Sequence, residues 1–193
     1  MKYVALGDSI SIDKYTGVAG GGAASQFAVK LGADFQDLTR DGNVTTAVLI
    51  DMEQVTTKPD VMTLTAGGND FLVGRPVNEI LVTLEEIGER LARLECPVIV
   101  NTVYDPTDGD DAIGRQMGIS PAQREEYERL NNGIREIARE RGFLLSDLQA
   151  LFHGNGIKSS NPWICCEIEP NYLGATAIAA HWMGLLSAHL RRS

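Results

Sequence analysis

The chain has 193 residues, 44% of them hydrophobic and 22% charged, which is enough for one domain, residues 1–193, with a sizeable core. Its net charge of −9 argues against nucleic acid, whose phosphates need a basic face, and against docking on an anionic membrane. The three cysteines, Cys96, Cys165 and Cys166, make no disulfide framework. No Cys and His spacing fits a zinc site, so neither metal nor cofactor is expected. No apolar run reaches the ~18 residues of a membrane span. The first strand begins within two residues of the N-terminus, which leaves no room for a signal peptide. The expectation is a cytoplasmic protein.

In chain order, Lys2–Leu6 reads as a short buried strand. Ala23–Leu31 follows a glycine run and carries Ala24, Phe27, Ala28 and Leu31 at helical spacing. Phe35–Leu38 is a second strand. Thr45–Gln54 is helical, with Thr45 or Thr46 as N-cap. Val61–Thr65 is a third strand, and Val77–Leu94 is a helix with an apolar stripe of Ile80, Leu81, Leu84, Ile87, Leu91 and Leu94. Pro97–Asn101 is the fourth strand. Ser120 and Pro121 open a helix as N-cap and first position, and Gly142 closes it after Arg141. Phe143–Ser146 is the fifth strand, and a last helix runs from about Gly174 to Leu190. Five alternations of strand and helix predict an α/β fold, a three-layer α/β/α sandwich on a five-stranded parallel sheet.

Two polar turns follow apolar strands: Gly7-Asp8-Ser9 and Gly67-Gly68-Asn69-Asp70. In such sheets the crevice outside the carboxyl ends of the strands is where ligands bind. A serine there is a candidate nucleophile. Acyl transfer also needs a base for its proton and donors aimed at the developing oxyanion. The backbone N–H groups of Ser9 and Gly42 and the side chain of Asn69 are candidate donors. Asp8 and Asp70 are read as stabilising their turns. Trp163 and Trp182 are read as packing residues, Trp163 also as a wall of the pocket.

The ordered blocks Gly7-Asp8-Ser9, Gly42, Gly67-Gly68-Asn69-Asp70 and Glu169-Pro170-Asn171 with Gly174 resemble the SGNH hydrolases, also called the GDSL esterase/lipase family. The resemblance implies a flavodoxin-like sandwich. It also implies a serine hydrolase acting on a small-molecule ester or thioester through an acyl-serine intermediate. It assigns Ser9 as nucleophile, and Gly42 and Asn69 as oxyanion donors. The last block departs from the family's Asp-x-x-His-Pro: Glu169 stands in the histidine's place and Cys166 in the aspartate's.

A glutamate is a weaker base than histidine by about 2 pK units, or roughly 3 kcal/mol, unless burial raises its pKa. His153, in a glycine-flanked loop after the fifth strand, is therefore an alternative base. His181 and His189 lie along the last helix and are read as packing or solvent-facing. Missing the histidine also favours a rival class: a hydrolase fold with weakened chemistry that binds a carbohydrate or acyl ligand. A third reading is a transferase that passes the acyl group to an alcohol. The acidic run Asp105–Asp111 lacks the ligand spacing of a calcium loop and reads as a solvated turn.

Overall fold

Val4, Leu6, Met62 and Leu64 alternate along two strands with Tyr3, Ala5 and Val61, and both sets are buried because helices cover both faces of the sheet. In the computed structural model, which describes residues 1–117 and 119–192, five parallel strands form that sheet. They are β1 (Lys2–Gly7), β2 (Asp34–Thr39), β3 (Val61–Thr65), β4 (Val98–Asn101) and β5 (Leu144–Ser146), in the spatial order β2-β1-β3-β4-β5.

One face packs against α2 (Thr45–Asp51), α4 (Val77–Ala92) and α6 (Pro121–Arg141), with Ile80, Ile87, Leu130 and Ile134 at its centre. The other packs against α1 (Ala23–Leu31) and α8 (Tyr172–Leu190), with Phe27, Ile178 and Trp182 fully buried. Among the described residues no helix is long and apolar enough to cross a membrane.

The predicted three-layer α/β/α sandwich is the observed architecture, and each predicted strand lies within about a residue or two of its observed place. Several helix ends differ for identifiable reasons. Thr45 does not cap α2, whose N-cap is Val44 without a side-chain bond. Instead the Asp70 carboxylate takes the Thr45 N–H at 2.7 Å and its hydroxyl at 2.8 Å, and so does the capping from another segment. The chain then tightens into a 3-10 turn at Met52–Gln54. α8 starts at Tyr172, because Asn171 accepts from the Leu173 and Gly174 N–H groups at 2.9 and 3.1 Å.

Ser120 and Gln123 form a reciprocal capping box at the start of α6, as its sequence announces. Cys96 is only half-buried, although it does pack on the core before β4.

Shorter elements sit at the strand ends: a 3-10 turn at Ser9–Ser11, α3 (Gly68–Leu72), α5 (Asp111–Gln116) and α7 (Leu148–Phe152). A two-stranded antiparallel hairpin, β6 (Ile164–Cys165) with β7 (Glu169–Pro170), precedes α8. None of these carries enough period to be read from sequence.

The Trp182 indole N–H donates to Asn101 Oδ1 at 2.9 Å, while the Asn101 amide donates to the Leu64 carbonyl at 2.9 Å. This buried relay joins α8 to β4 and β3 beneath the strand ends. Trp182→Phe leaves the Asn101 oxygen unpaired and opens a void. The expected cost is roughly 2–4 kcal/mol, read from the midpoint of urea unfolding; an unchanged midpoint would show that the relay contributes nothing.

Candidate active site

Gly7 ends β1 at φ +135°, and a Cβ there would sit 2.0 Å from the Thr65 carbonyl oxygen of β3. Only glycine permits that approach. It lets the Asp8 N–H reach the same carbonyl at 3.1 Å, so the turn after β1 is pinned to the end of β3. Asp8 then caps the following 3-10 turn, its carboxylate accepting the Ile10 N–H at 3.2 Å. Ser11 and Thr65 join hydroxyls at 3.1 Å below it. Ser9 is thereby held at the strand end, only 3% exposed.

Asn69 enters from the second turn at the start of α3, where Gly67 adopts φ +105°. Its amide donates to the Asn43 carbonyl at 2.9 Å, and a primary amide has a second N–H to offer. Asn43 is itself braced, donating to the Gly7 carbonyl and to Asp51, each at 3.1 Å. Ser9 and Asn69 line the same cleft, which has a cavity volume of about 70 Å³ and is open to solvent at its mouth.

Gly42 lies in the turn before Asn43, exposed and at φ +71°. It is not among the cleft-lining residues, and its N–H lies close enough to the Asp41 carboxylate to help lower that carboxyl's pKa. Lys14 holds that carboxyl below its usual range, with Tyr15 and this N–H adding to the effect. The expected third oxyanion donor thus faces a neighbouring side chain in this structure.

Glu169 reaches the Ser9 turn from the hairpin before α8. It sits in β7, which packs on the Ser9 turn, and it is 6% exposed. Several ties hold the hairpin there. The ladder pairs Ile164 with Pro170 and Cys165 with Glu169. The Tyr104 hydroxyl donates to the Ile168 carbonyl, and the Cys165 thiol reaches the Tyr15 carbonyl at 3.4 Å. Gly174 lets α8 begin tight against the Trp163 carbonyl, where a Cβ would come within 2.4 Å.

Burial pushes the Glu169 carboxyl above its ordinary range; the hydrogen bond with the Ser9 hydroxyl opposes this and does not cancel it. Glu169 Oε2 is buried without a partner. Burial likewise raises Asp8, to about 7, with smaller upward contributions from Glu169 and Asp70. Two buried carboxyls therefore lie within electrostatic range of each other at the Ser9 turn.

His153 is elsewhere. It is 80% exposed at its side chain, lies 3.8 Å from Asp108, and lines a neighbouring pocket with Arg124 and Glu128 rather than the cleft itself. The expectation that it serves Ser9 as base finds no contact to rest on. Trp163 packs edge-on to Phe152 at 5.6 Å and does not wall the cleft. Asp70 is occupied by Thr45 and Arg75, and Asp105 and Asp110 by their own loop, Arg124 and Lys158. The half-buried His181 has its pKa lowered by burial on α8.

Sequence reasoning did not single out Thr65, the hub of the Asp8 turn, or Tyr104, which fixes the hairpin that carries Glu169. Their signal is positional. Thr65 is the last residue of a strand that leads into the second polar turn, and Tyr104 follows closely on the fourth strand.

A family profile described as "GDSL-like Lipase/Acylhydrolase family" matches residues 5–177. No curated protein sequence matches. Among solved structures, an acetyl xylan esterase, AlAXEase, superposes with a TM-score of 0.74 at 20% identity, over 95% of this chain and 98% of that one. A member of the lipolytic G-D-S-L family from Veillonella parvula superposes with a TM-score of 0.76 at 21% identity, over 96% and 98%. Axe2, an acetylxylan esterase from Geobacillus stearothermophilus, superposes with a TM-score of 0.73 at 19% identity, over 95% and 93%.

The raised Asp8 pKa has a stability consequence with a definite sign. The folded state favours the protonated carboxyl, so the advantage is full below the unfolded value near 4 and lost as pH rises towards 7. Asp8→Asn keeps an oxygen for the Ile10 cap and removes the ionisation. Its stability relative to the parent should therefore grow between pH 5 and pH 8, by up to about 3 kcal/mol, as measured by thermal unfolding at both values. A pH-independent difference would show that Asp8 ionises in the fold without penalty.

Proposed function

We propose that this chain, which belongs to the GDSL-like lipase/acylhydrolase family, is an ester hydrolase that works through an acyl-Ser9 intermediate with Glu169 as its base. One observation carries the reading: Glu169 packs on the Ser9 turn closely enough for the Ser9 hydroxyl to lower its pKa against the effect of burial, and Ser9 shares a cleft with Asn69.

In this reaction Ser9 Oγ attacks the ester carbonyl as its proton passes to Glu169. The oxyanion that forms is held by the Ser9 N–H and the Asn69 side-chain amide. Glu169 then returns the proton to the departing alcohol oxygen. Water completes the cycle by the same steps in reverse roles. The substrate is a small-molecule ester or thioester, and no cofactor enters the chemistry.

Glutamate can replace histidine here because burial raises its proton affinity. The gain has a limit. The protonated form cannot accept the serine proton, so turnover needs Glu169 ionised and must rise with pH through its raised pKa. At about pH 7 Asp8 ionises and places a second negative charge beside the developing oxyanion. Turnover then falls. The two limbs belong to the coupled carboxyl pair rather than to either residue alone.

The rival reading, a weakened fold that only binds a ligand, predicts an unactivated serine. A fluorophosphonate probe should label the parent protein and fail to label Ser9→Ala. No labelling at any pH from 5 to 8 would remove Ser9 from the mechanism. Glu169→Gln should lower turnover of short p-nitrophenyl esters by about 10²–10⁴-fold. Glu169→His should retain activity and move the acid limb towards pH 6–7. Unchanged rates in Glu169→Gln would assign the proton to another group.

A further inference from the structure

We infer that Cys165 and Cys166 form a vicinal dithiol, an oxidation site that a hydroperoxide closes into a disulfide between neighbouring residues, and that closure draws Glu169 out of its place at the Ser9 turn and switches turnover off. The closure stands on the hairpin alone; its effect on turnover rests on the hydrolase reading above.

The hairpin sets the two thiols together and gives them different access. Cys165 is the last residue of β6 and is partly buried, whereas Cys166 opens the turn and is exposed. Successive residues in extended chain point to opposite faces. Cys166 leaves that conformation at φ +46° and Glu167 follows at φ +72°, two left-handed positions in a row that residues with a Cβ avoid. The alternation ends there, and the Cys166 thiol lies close enough to act on Cys165. Burial first, and then this neighbouring thiol, push Cys165 up to about 11. Cys165 therefore stays protonated, and the exposed Cys166 is the sulfur that meets an oxidant first. The third thiol, Cys96, packs on the core of the opposite sheet face from Ile164 and takes no part.

In the first step the Cys166 thiolate sulfur attacks the O–O bond of the hydroperoxide and becomes a sulfenic acid. The alkoxide or hydroxide released takes up the proton that Cys166 gave. The Cys165 sulfur then displaces the sulfenic hydroxyl, which leaves as water with the Cys165 proton. One S–S bond forms, and two electrons pass from the thiols to the peroxide. Adjacent Cα atoms are ~3.8 Å apart, less than bridged cysteines usually span, so the ring is strained and a thiol reductant reopens it. Closure turns the Cys165 sulfur towards Cys166 and away from the Tyr15 carbonyl, which it now meets at 3.4 Å. It also resets the backbone of the residue that faces Glu169 in the β6–β7 ladder. Both ties that seat the base are thus altered at once, and a misplacement of about 1 Å costs up to about 10²-fold in rate.

The test treats the reduced parent with hydrogen peroxide and follows intact mass, free thiols and turnover of p-nitrophenyl acetate. The monomer should lose two hydrogens, with Cys96 still free by peptide mapping, and kcat/KM should fall by about 10–100-fold until dithiothreitol restores it. Cys166→Ser removes an exposed thiol outside the reaction centre, and should keep the parent's turnover and resist the peroxide. Closure without loss of turnover overturns the switch and leaves the hydrolase reading standing. The same holds for a loss of turnover that persists in Cys166→Ser, and for cysteines that stay free or link two chains. No turnover and no Ser9 labelling in the reduced parent overturn the hydrolase reading and the switch with it. Should Cys166→Ser not fold, the mapped Cys165–Cys166 link in the parent, with recovery in dithiothreitol, decides.

Discussion

The contact between Gly7 and Thr65 is the constraint on which the site depends. β1 and β3 are neighbours in parallel register with Gly7 opposite Thr65, and the two backbones come so close there that a side chain on residue 7 has no space. Both strands consequently end at one level. Each continues into a polar turn, and the first turn is fastened to the second strand through the Asp8 N–H. Ser9 and Asn69, sixty residues apart in the chain, owe their shared cleft to this pairing. The same junction buries Asp8 and Thr65, so structural closeness and the electrostatic peculiarity of the site have one origin.

That peculiarity is the concentration of carboxyl groups where water is scarce. Removing a carboxylate from water favours its neutral form, and Asp8 and Glu169 each make ionisation of the other harder. The arrangement costs stability at neutral pH, and Glu169 Oε2 without a partner is part of that cost. Buried unpaired polar atoms persist where function holds them. A fold with histidine in this position would need no such burial. Here the hairpin, the Tyr104 bond and the Cys165 contact keep the glutamate out of water, which raises the proton affinity of its carboxyl. The Lys14–Asp41 pair nearby contributes opposing fields at Glu169, so burial and the Ser9 bond decide its state.

Much of this was legible in the sequence where periodicity or turn chemistry wrote it. The buried strands are continuous apolar runs, α4 is an unbroken stripe, and α6 carries both its cap and its terminal glycine. The two polar turns announced themselves because glycine is obligatory there, and Asn171 and Gly174 stand out after Glu169 because one caps α8 and the other packs against Trp163. The rest was hidden for physical reasons. β6 and β7 are two residues each, too short for any alternation, and their turn uses positive φ at Cys166 and Glu167, residues that give no hint of it. Thr45 looked like a cap because its type suits one, yet a carboxylate from a distant turn took the position. His153 was placed at the right edge of the sheet by its loop, but a loop position fixes only the neighbourhood. Its side chain pairs with Asp108 and faces solvent.

The direction of the polar side chains around the cleft bears on what the cleft can hold. A site built to hold carbohydrate presents unsatisfied donors and acceptors to its ligand, because those are what a polyol recognises. In this cleft Asn101, Thr102, Tyr104 and Tyr127 are bonded inward, to backbone carbonyls and to Asp147 and Trp182. These bonds also rigidify the walls, since breaking any of them strands a buried polar atom. The cleft is thus apolar by construction, although many of its residues are polar in name. A carbohydrate seated in this cleft would have to undo the bonds that hold β4, α6 and the hairpin in place. An acyl chain needs none of them disturbed.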